Sequence, residues 1–198
     1  MKTIKKLFCV LFGLVGLGQA YAQSPYFQQL ADSAFALTKD RVIYDPTYYS
    51  IDYPMGDIPE GKGVCTDVVI RAYRKLGTDL QELVHKDMKA HFSSYPKNWG
   101  LNRPDTNIDH RRVPNLMTFF KRQGASLGVS QKSEDYLPGD VVSWNLGGGI
   151  THIGVVSDIP SRSHPNRYQM IHNIGAGQVL EDCLFSYRIT GHFRYRPR

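Results

Sequence analysis

"GKGVCTDVVIRAYRKLG", Gly61 to Gly77, decides how this chain is read. Val68, Val69, Ala72 and Leu76 fall on one helical face, while Arg71, Arg74 and Lys75 fall off it, and Gly77 supplies a stop. The spacing predicts a helix that opens at Cys65, after a Gly-Lys-Gly lead that lets the backbone turn tightly. A helix N-terminus exposes unpaired N–H groups and carries partial positive charge. A thiol placed there is expected to ionise more easily and to act as a nucleophile. A structural disulfide has no need of that location.

What Cys65 can bond to depends on where the protein resides. Residues 1–22 read as a secretory signal, with Lys2, Lys5 and Lys6, then "LFCVLFGLVGLG", then the small-x-small pattern Ala20-Tyr21-Ala22. The apolar run is shorter than the roughly 20 residues a bilayer span takes. Cleavage after Ala22 is expected to leave residues 23–198 as one domain, periplasmic or secreted, with no membrane span. Cys9 leaves with the signal. The formal charge of +6 falls to +3 without the three leader lysines, and no Lys/Arg run suggests nucleic acid. Two cysteines remain, Cys65 and Cys183, and in an oxidising compartment one disulfide would be the default. Position argues otherwise: Cys183, in "VLEDCLF", lies in a connection and reads as a small buried residue.

The rest of the chain divides into a helical half and a strand half. Helices are expected over Pro25 to Thr38, from Cys65 to Leu76, over Leu80 to His91 and over Val113 to Gln123. Tyr44 to Glu60 and "SSYPKNWGLNRPDTNIDHRR" read as loops by their Pro, Gly, Asp and Asn content. From Leu137 the pattern turns to β-branched residues at period two. "LPGDVVSW", "THIGVVSD", "RYQMIHNIG" and "YRITGHFRYRP" are four strand candidates, expected to form an antiparallel meander. The expected class is α+β.

A cysteine nucleophile needs a base, usually histidine, and a third group to orient it. His152 opens a strand after three glycines expected to let the turn approach closely, and His172 lies near the end of the next strand. Neighbouring antiparallel strands can set two such imidazoles side by side. "NIDHRR" packs Asp109, His110, Arg111 and Arg112 just before a helix, and arginine binds carboxylates bidentately. Salt bridging at the helix start is the competing reading for those arginines. Trp99, Tyr95 and Tyr53 are candidate cleft aromatics.

The ordered set Cys65, "PGDVV" (Pro138 to Val142), "HIGVV" (His152 to Val156) and "MIH" (Met170 to His172) resembles the NlpC-type cell-wall peptidases of papain-like fold. The stretch from about Tyr44 to Arg196, with "GVCTDVV", "LVHKDM", "NIDHRRVPNL" and "HNIGAG", is more closely similar to an exported bacterial family of long-unassigned function within that superfamily. The resemblance implies a hydrolase of amide bonds in peptidoglycan stem peptides. Cys65 would be the nucleophile, His152 the general base and His172 the orienting residue. Asp67, His110, Arg111, Arg112 and Asn173 would contact the peptidoglycan or muropeptide substrate. No cofactor and no metal are implied, and a monomer is expected. The chain departs from the usual Asp-Cys-Ser, having Val64-Cys65-Thr66 with the acid at Asp67, and the segment from Gly77 to Leu137 is longer than a minimal domain of this type needs. Three alternatives stand beside this reading: a non-catalytic cell-wall binding module, an acyltransferase on the same triad, and a zinc hydrolase using His152, His172 and His192. The last lacks an HExxH or HxH pattern and would leave Cys65 idle.

Overall fold

The computed structural model of the protein describes residues 24–197. The expected signal peptide and its cleavage point fall in residues 1–23 and lie outside the described residues. The helices are α1 (Pro25–Leu37), α2 (Cys65–Lys75), α3 (Leu80–Ala90) and α4 (Val113–Arg122). Two short strands, β1 (Ile43–Tyr44) and β2 (Lys62–Gly63), pair in parallel just ahead of α2. The main sheet holds β3 (Ser126–Leu127), β4 (Val141–Asn145), β5 (Thr151–Pro160), β6 (Tyr168–Asn173), β7 (Gln178–Glu181) and β8 (Arg188–Phe193). Its order is β3-β8-β4-β5-β6-β7, and every pairing is antiparallel. The class is α+β. The expected meander holds from β4 through β6; β7, a strand outside the four candidates, extends it, and the fourth candidate, β8, returns to the far side of β4 rather than continuing the run.

The sheet is buried on both faces, which is why β4 and β5 carry Val-Val pairs rather than clean alternation. Val141, Val155, Ile171 and Phe193 face Leu30 of α1, Val68 and Val69 of α2, and Leu116 and Phe120 of α4. Val142, Trp144, Val156 and Met170 face the other way, under Tyr136, Cys183 and Leu184. Each such side chain stabilises by about 1.5–3 kcal/mol, more than a surface ion pair, worth about 0–1. Packing therefore sets where β5 lies relative to α2.

The Pro-Gly-Asp turn clamps β4 to β8. Asp140 is fully buried and accepts from Arg194 Nε (2.6 Å) and Nη2 (2.7 Å), pairs with His192 Nε2 (2.7 Å), and takes the Leu137 N–H (3.0 Å). His192 also stacks on Tyr136 with ring centroids 4.3 Å apart. It is a structural residue, separated in its bonding from His152 and His172. This removes the geometric basis for a His152–His172–His192 zinc centre. The three glycines before His152 are needed for backbone conformation rather than close approach: Gly147, Gly148 and Gly149 all have positive φ, and a Cβ on any of them would meet nothing within 4 Å.

Candidate active site

The opening of α2 is built by an acid three residues in. Asp67 Oδ2 accepts the Val64 N–H at 2.7 Å, taking up a donor that the helix itself leaves free. Arg111 then closes on the same carboxylate, Nε to Oδ1 at 3.0 Å and Nη2 to Oδ2 at 3.1 Å. It also donates to the carbonyls of Thr47 (3.2 Å) and Asp45 (3.3 Å), tying the loop before α2 to the segment before α4. The displaced acid of the Val64-Cys65-Thr66 stretch thus has a structural task.

Cys65 is buried, as is Cys183, and both are free thiols. Burial pushes the Cys65 thiol up to about 12. The backbone N–H groups of Ile153, Thr66 and Cys65 itself act in the opposite direction, while Asp67 adds to the rise. The expectation of a thiol acidified by the helix terminus is therefore corrected: withdrawal from water outweighs the helix N–H groups, and the resting sulfur is protonated. The participation of the Ile153 N–H places the thiol at the start of β5, one residue past His152.

His152 and His172 do come together. His152 Nε2 lies 3.0 Å from His172 Nδ1, with the rings edge to face at 87°. Gly154 makes this possible, because a Cβ there would meet the Ile171 carbonyl oxygen at 2.8 Å and His172 Cβ at 3.0 Å. Trp144, paired with His152 across β4 and β5, backs the ring with centroids 5.7 Å apart. Burial, and next His172, push His152 down to about 3, so it is neutral at rest. Burial also lowers His172, with Glu181 opposing.

Glu181 is the residue that sequence reasoning missed. It ends β7, a four-residue strand between turn-forming segments that carries no periodic signal. Its Oε2 lies 3.1 Å from His172 Nε2, and its side chain is 55% exposed. An ionised carboxylate only accepts hydrogen bonds, so His172 Nε2 carries the proton. His172 Nδ1 then accepts, His152 Nε2 donates, and the His152 proton is held on Nε2. His152 Nδ1 is left with a free lone pair. One exposed acid thereby sets the tautomer of a ring two residues removed from it along the hydrogen-bonded line. Cys183 also reaches this line, with Sγ 3.3 Å from His172 Nε2, so its surroundings are more than packing.

Above Cys65 is an open cleft of about 220 Å³, lined by Tyr44, Val64, Cys65, Trp99, Arg111, Arg112, Pro114 and Thr151 among others. Arg112 stacks its guanidinium over Trp99 at 4.0 Å and donates to Asp109 Oδ1 at 3.1 Å. Tyr44, which no local pattern singles out, has its phenol raised by burial first and then by nearby Cys65. Of the residues expected to bind substrate, Arg111 and Arg112 line the cleft, but the Arg111 fork is filled by Asp67. Asp67 is buried beneath it. Asn173 is also buried, donating to the Gly63 carbonyl (3.3 Å) and accepting from Gly175 N (3.1 Å), which fixes the end of β6 to the lead into α2. His110 is buried in a 3-10 turn, and burial, then Arg111, push it down to about 3. These four are scaffold. Tyr95 is buried with its hydroxyl on Asp87, and Tyr53 packs on His85, so Trp99 alone of the candidate aromatics lines this cleft.

No helix among the described residues is long and apolar enough to cross a membrane. The chain is 51% identical over 166 residues to the uncharacterized protein YijF of Escherichia coli (strain K12), an alignment covering 84% of this chain and 80% of that one. Residues 31–195, which include Cys65, both histidines and Glu181, match the family described as a domain of unknown function, DUF1287, and the chain belongs to that family.

Proposed function

We propose that this protein is an exported cysteine hydrolase of the NlpC-type, papain-like kind, cleaving amide bonds in peptidoglycan stem peptides. The observation that carries the reading is the line Glu181–His172–His152, which ends on a lone pair at His152 Nδ1 beside the start of β5, where Cys65 meets the Ile153 N–H. In this reading His152 Nδ1 takes the proton from Cys65 Sγ as the sulfur attacks the amide carbonyl. It then returns that proton to the leaving amine, and water releases the acyl group by the same route in reverse. The N–H groups at the start of α2 would stabilise the negative charge that develops. Arg112, held flat on Trp99 at the cleft wall, is suited to a substrate carboxylate.

Incubating purified muropeptides with the mature protein and reading the products by mass spectrometry tests the proposal. Wild type should release fragments one hydrolysed amide apart, Cys65→Ala and His152→Ala should release none, and His172→Ala should retain a residue of activity. Muropeptides left intact by wild-type protein, across stem peptides of different length and amidation, would count against the hydrolase reading.

A further inference from the structure

On the side of His172 away from His152, three different ligand atoms converge. His172 Nε2 is 3.1 Å from Glu181 Oε2 and 3.3 Å from Cys183 Sγ. All three atoms lie within 4.8 Å of one another. Tetrahedral zinc, with bonds of about 2.0–2.1 Å to nitrogen and oxygen and about 2.3 Å to sulfur, separates its ligands by roughly 3.3–3.6 Å. Two of the three spacings are therefore already near those of a metal-bound set, and the third is adjusted by Glu181, whose side chain is 55% exposed and able to move. We propose that His172, Glu181 and Cys183 form a binding site for a zinc-class divalent ion, with its fourth position open to solvent.

Three features support a metal over a simple hydrogen-bond cluster. The donors combine imidazole, carboxylate and thiol, which together suit zinc and cobalt rather than calcium or magnesium. His172 already holds its other nitrogen against His152, the second hydrogen bond that orients a ligating histidine. And Glu181 stands at the surface while His172 and Cys183 are buried, so two of the three donors sit in a desolvated place.

Binding displaces the Cys183 thiol proton to solvent and moves the His172 proton from Nε2, now metal-bound, to Nδ1. His172 Nδ1 then donates to His152 Nε2, and the His152 proton passes to Nδ1. That is the nitrogen the hydrolase reading uses as base, so, resting on that reading, the occupied site is a switch that turns catalysis off.

Cobalt(II) titration of the reduced mature chain tests the site. One equivalent should produce a thiolate-to-cobalt charge-transfer band in wild type and in Cys65→Ser, but not in Cys183→Ser. Glu181→Gln, a surface change that spares the core, should weaken binding at least tenfold. In ¹⁵N-histidine NMR, zinc should move the protonated nitrogen of His152 from Nε2 to Nδ1 in wild type and leave it in place in Cys183→Ser. No band in wild type would overturn the proposal. So would a band that survives in Cys183→Ser and vanishes in Cys65→Ser, since the ion would then sit at the nucleophile. Neither measurement uses a substrate, so the site can fail where the hydrolase reading holds, and hold where that reading fails.

Discussion

Arg111→Met separates scaffold from substrate binding. Arg111 and Asp67 have side chains only 2% and 3% exposed, joined by two hydrogen bonds of 3.0 and 3.1 Å. Methionine keeps much of the arginine stem's packing but removes the fork, leaving a carboxylate out of water with the Val64 N–H still donating to it. Removing one partner from a buried ion pair costs about 3–5 kcal/mol. For a domain of this size 1 kcal/mol shifts Tm by about 2–4 °C, so melting should fall by roughly 6–20 °C. Arg111→Lys should recover only part of the loss, because an ammonium cannot fill both carboxylate oxygens. Asp67→Asn in the Arg111→Met background should restore stability by relieving the unpaired charge, and the non-additivity of that cycle measures the pair. Differential scanning calorimetry gives Tm, and muropeptide kinetics on the folded variant give KM. The reasoning fails if Tm stays within about 2 °C of wild type while KM rises tenfold, because the fork would then be serving a ligand.

Four further outcomes follow from the site. Cys65, a neutral thiol raised to about 12 by burial, should alkylate slowly at pH 7, with a rate climbing about tenfold per pH unit above it; a rate that levels off near neutrality would mean a preformed thiolate. The same shift has a sign for stability: the folded thiol keeps its proton where the unfolded one, near 9, has lost it, so the contribution is whole below about 9 and disappears as pH rises toward 12. Gly154→Ala would drive a Cβ to 2.8 Å from the Ile171 carbonyl oxygen and 3.0 Å from His172 Cβ, parting β5 from β6; turnover should drop at least tenfold, and an alanine variant with normal turnover would show that the His152–His172 contact is dispensable. Arg112→Ala should raise KM about tenfold with kcat little changed, the mark of lost uniform binding of a charged group, and the effect should vanish on amidated muropeptide; equal KM for both variants on the free acid would leave Arg112 without a ligand.

The helices were legible because each carries its own evidence. Pro25, Cys65, Leu80 and Val113 begin them as expected, and the ends agree to a residue, since an amphipathic stripe and its stop signal are local. The histidine pair was legible because both residues sit on strands joined by one short connection. What escaped the sequence depends on distance along the chain. Nothing near Arg111 announces that Asp67, 44 residues earlier, fills its fork. The four residues of β7 are too few and too mixed in burial to show a period, so nothing local singles out Glu181. The return of β8 to β4 rests on Asp140 gripping Arg194, 54 residues on, across the three intervening strands β5, β6 and β7.

The protonation of Cys65 is the case where direction alone misleads and size decides. A helix N-terminus favours a nearby negative charge by about 0.3–1 kcal/mol, reaching about 2 in partly buried settings. That is roughly one pKa unit, at 1.36 kcal/mol each. Full burial acts the other way by up to about 3–5 units. A sulfur as buried as this one therefore stays protonated however well the helix is aimed at it. Such a thiol becomes a nucleophile only while its proton is leaving, and a neighbouring histidine can accept that proton only if the nitrogen facing it carries a lone pair. Which nitrogen that is depends on His172, and His172 is set by Glu181, an exposed acid with no contact to the sulfur. In the proposed reaction the reactivity of the buried cysteine would thus be fixed at the surface, at the far end of β7, where a carboxylate that only accepts and an ion that only takes lone pairs would give opposite answers.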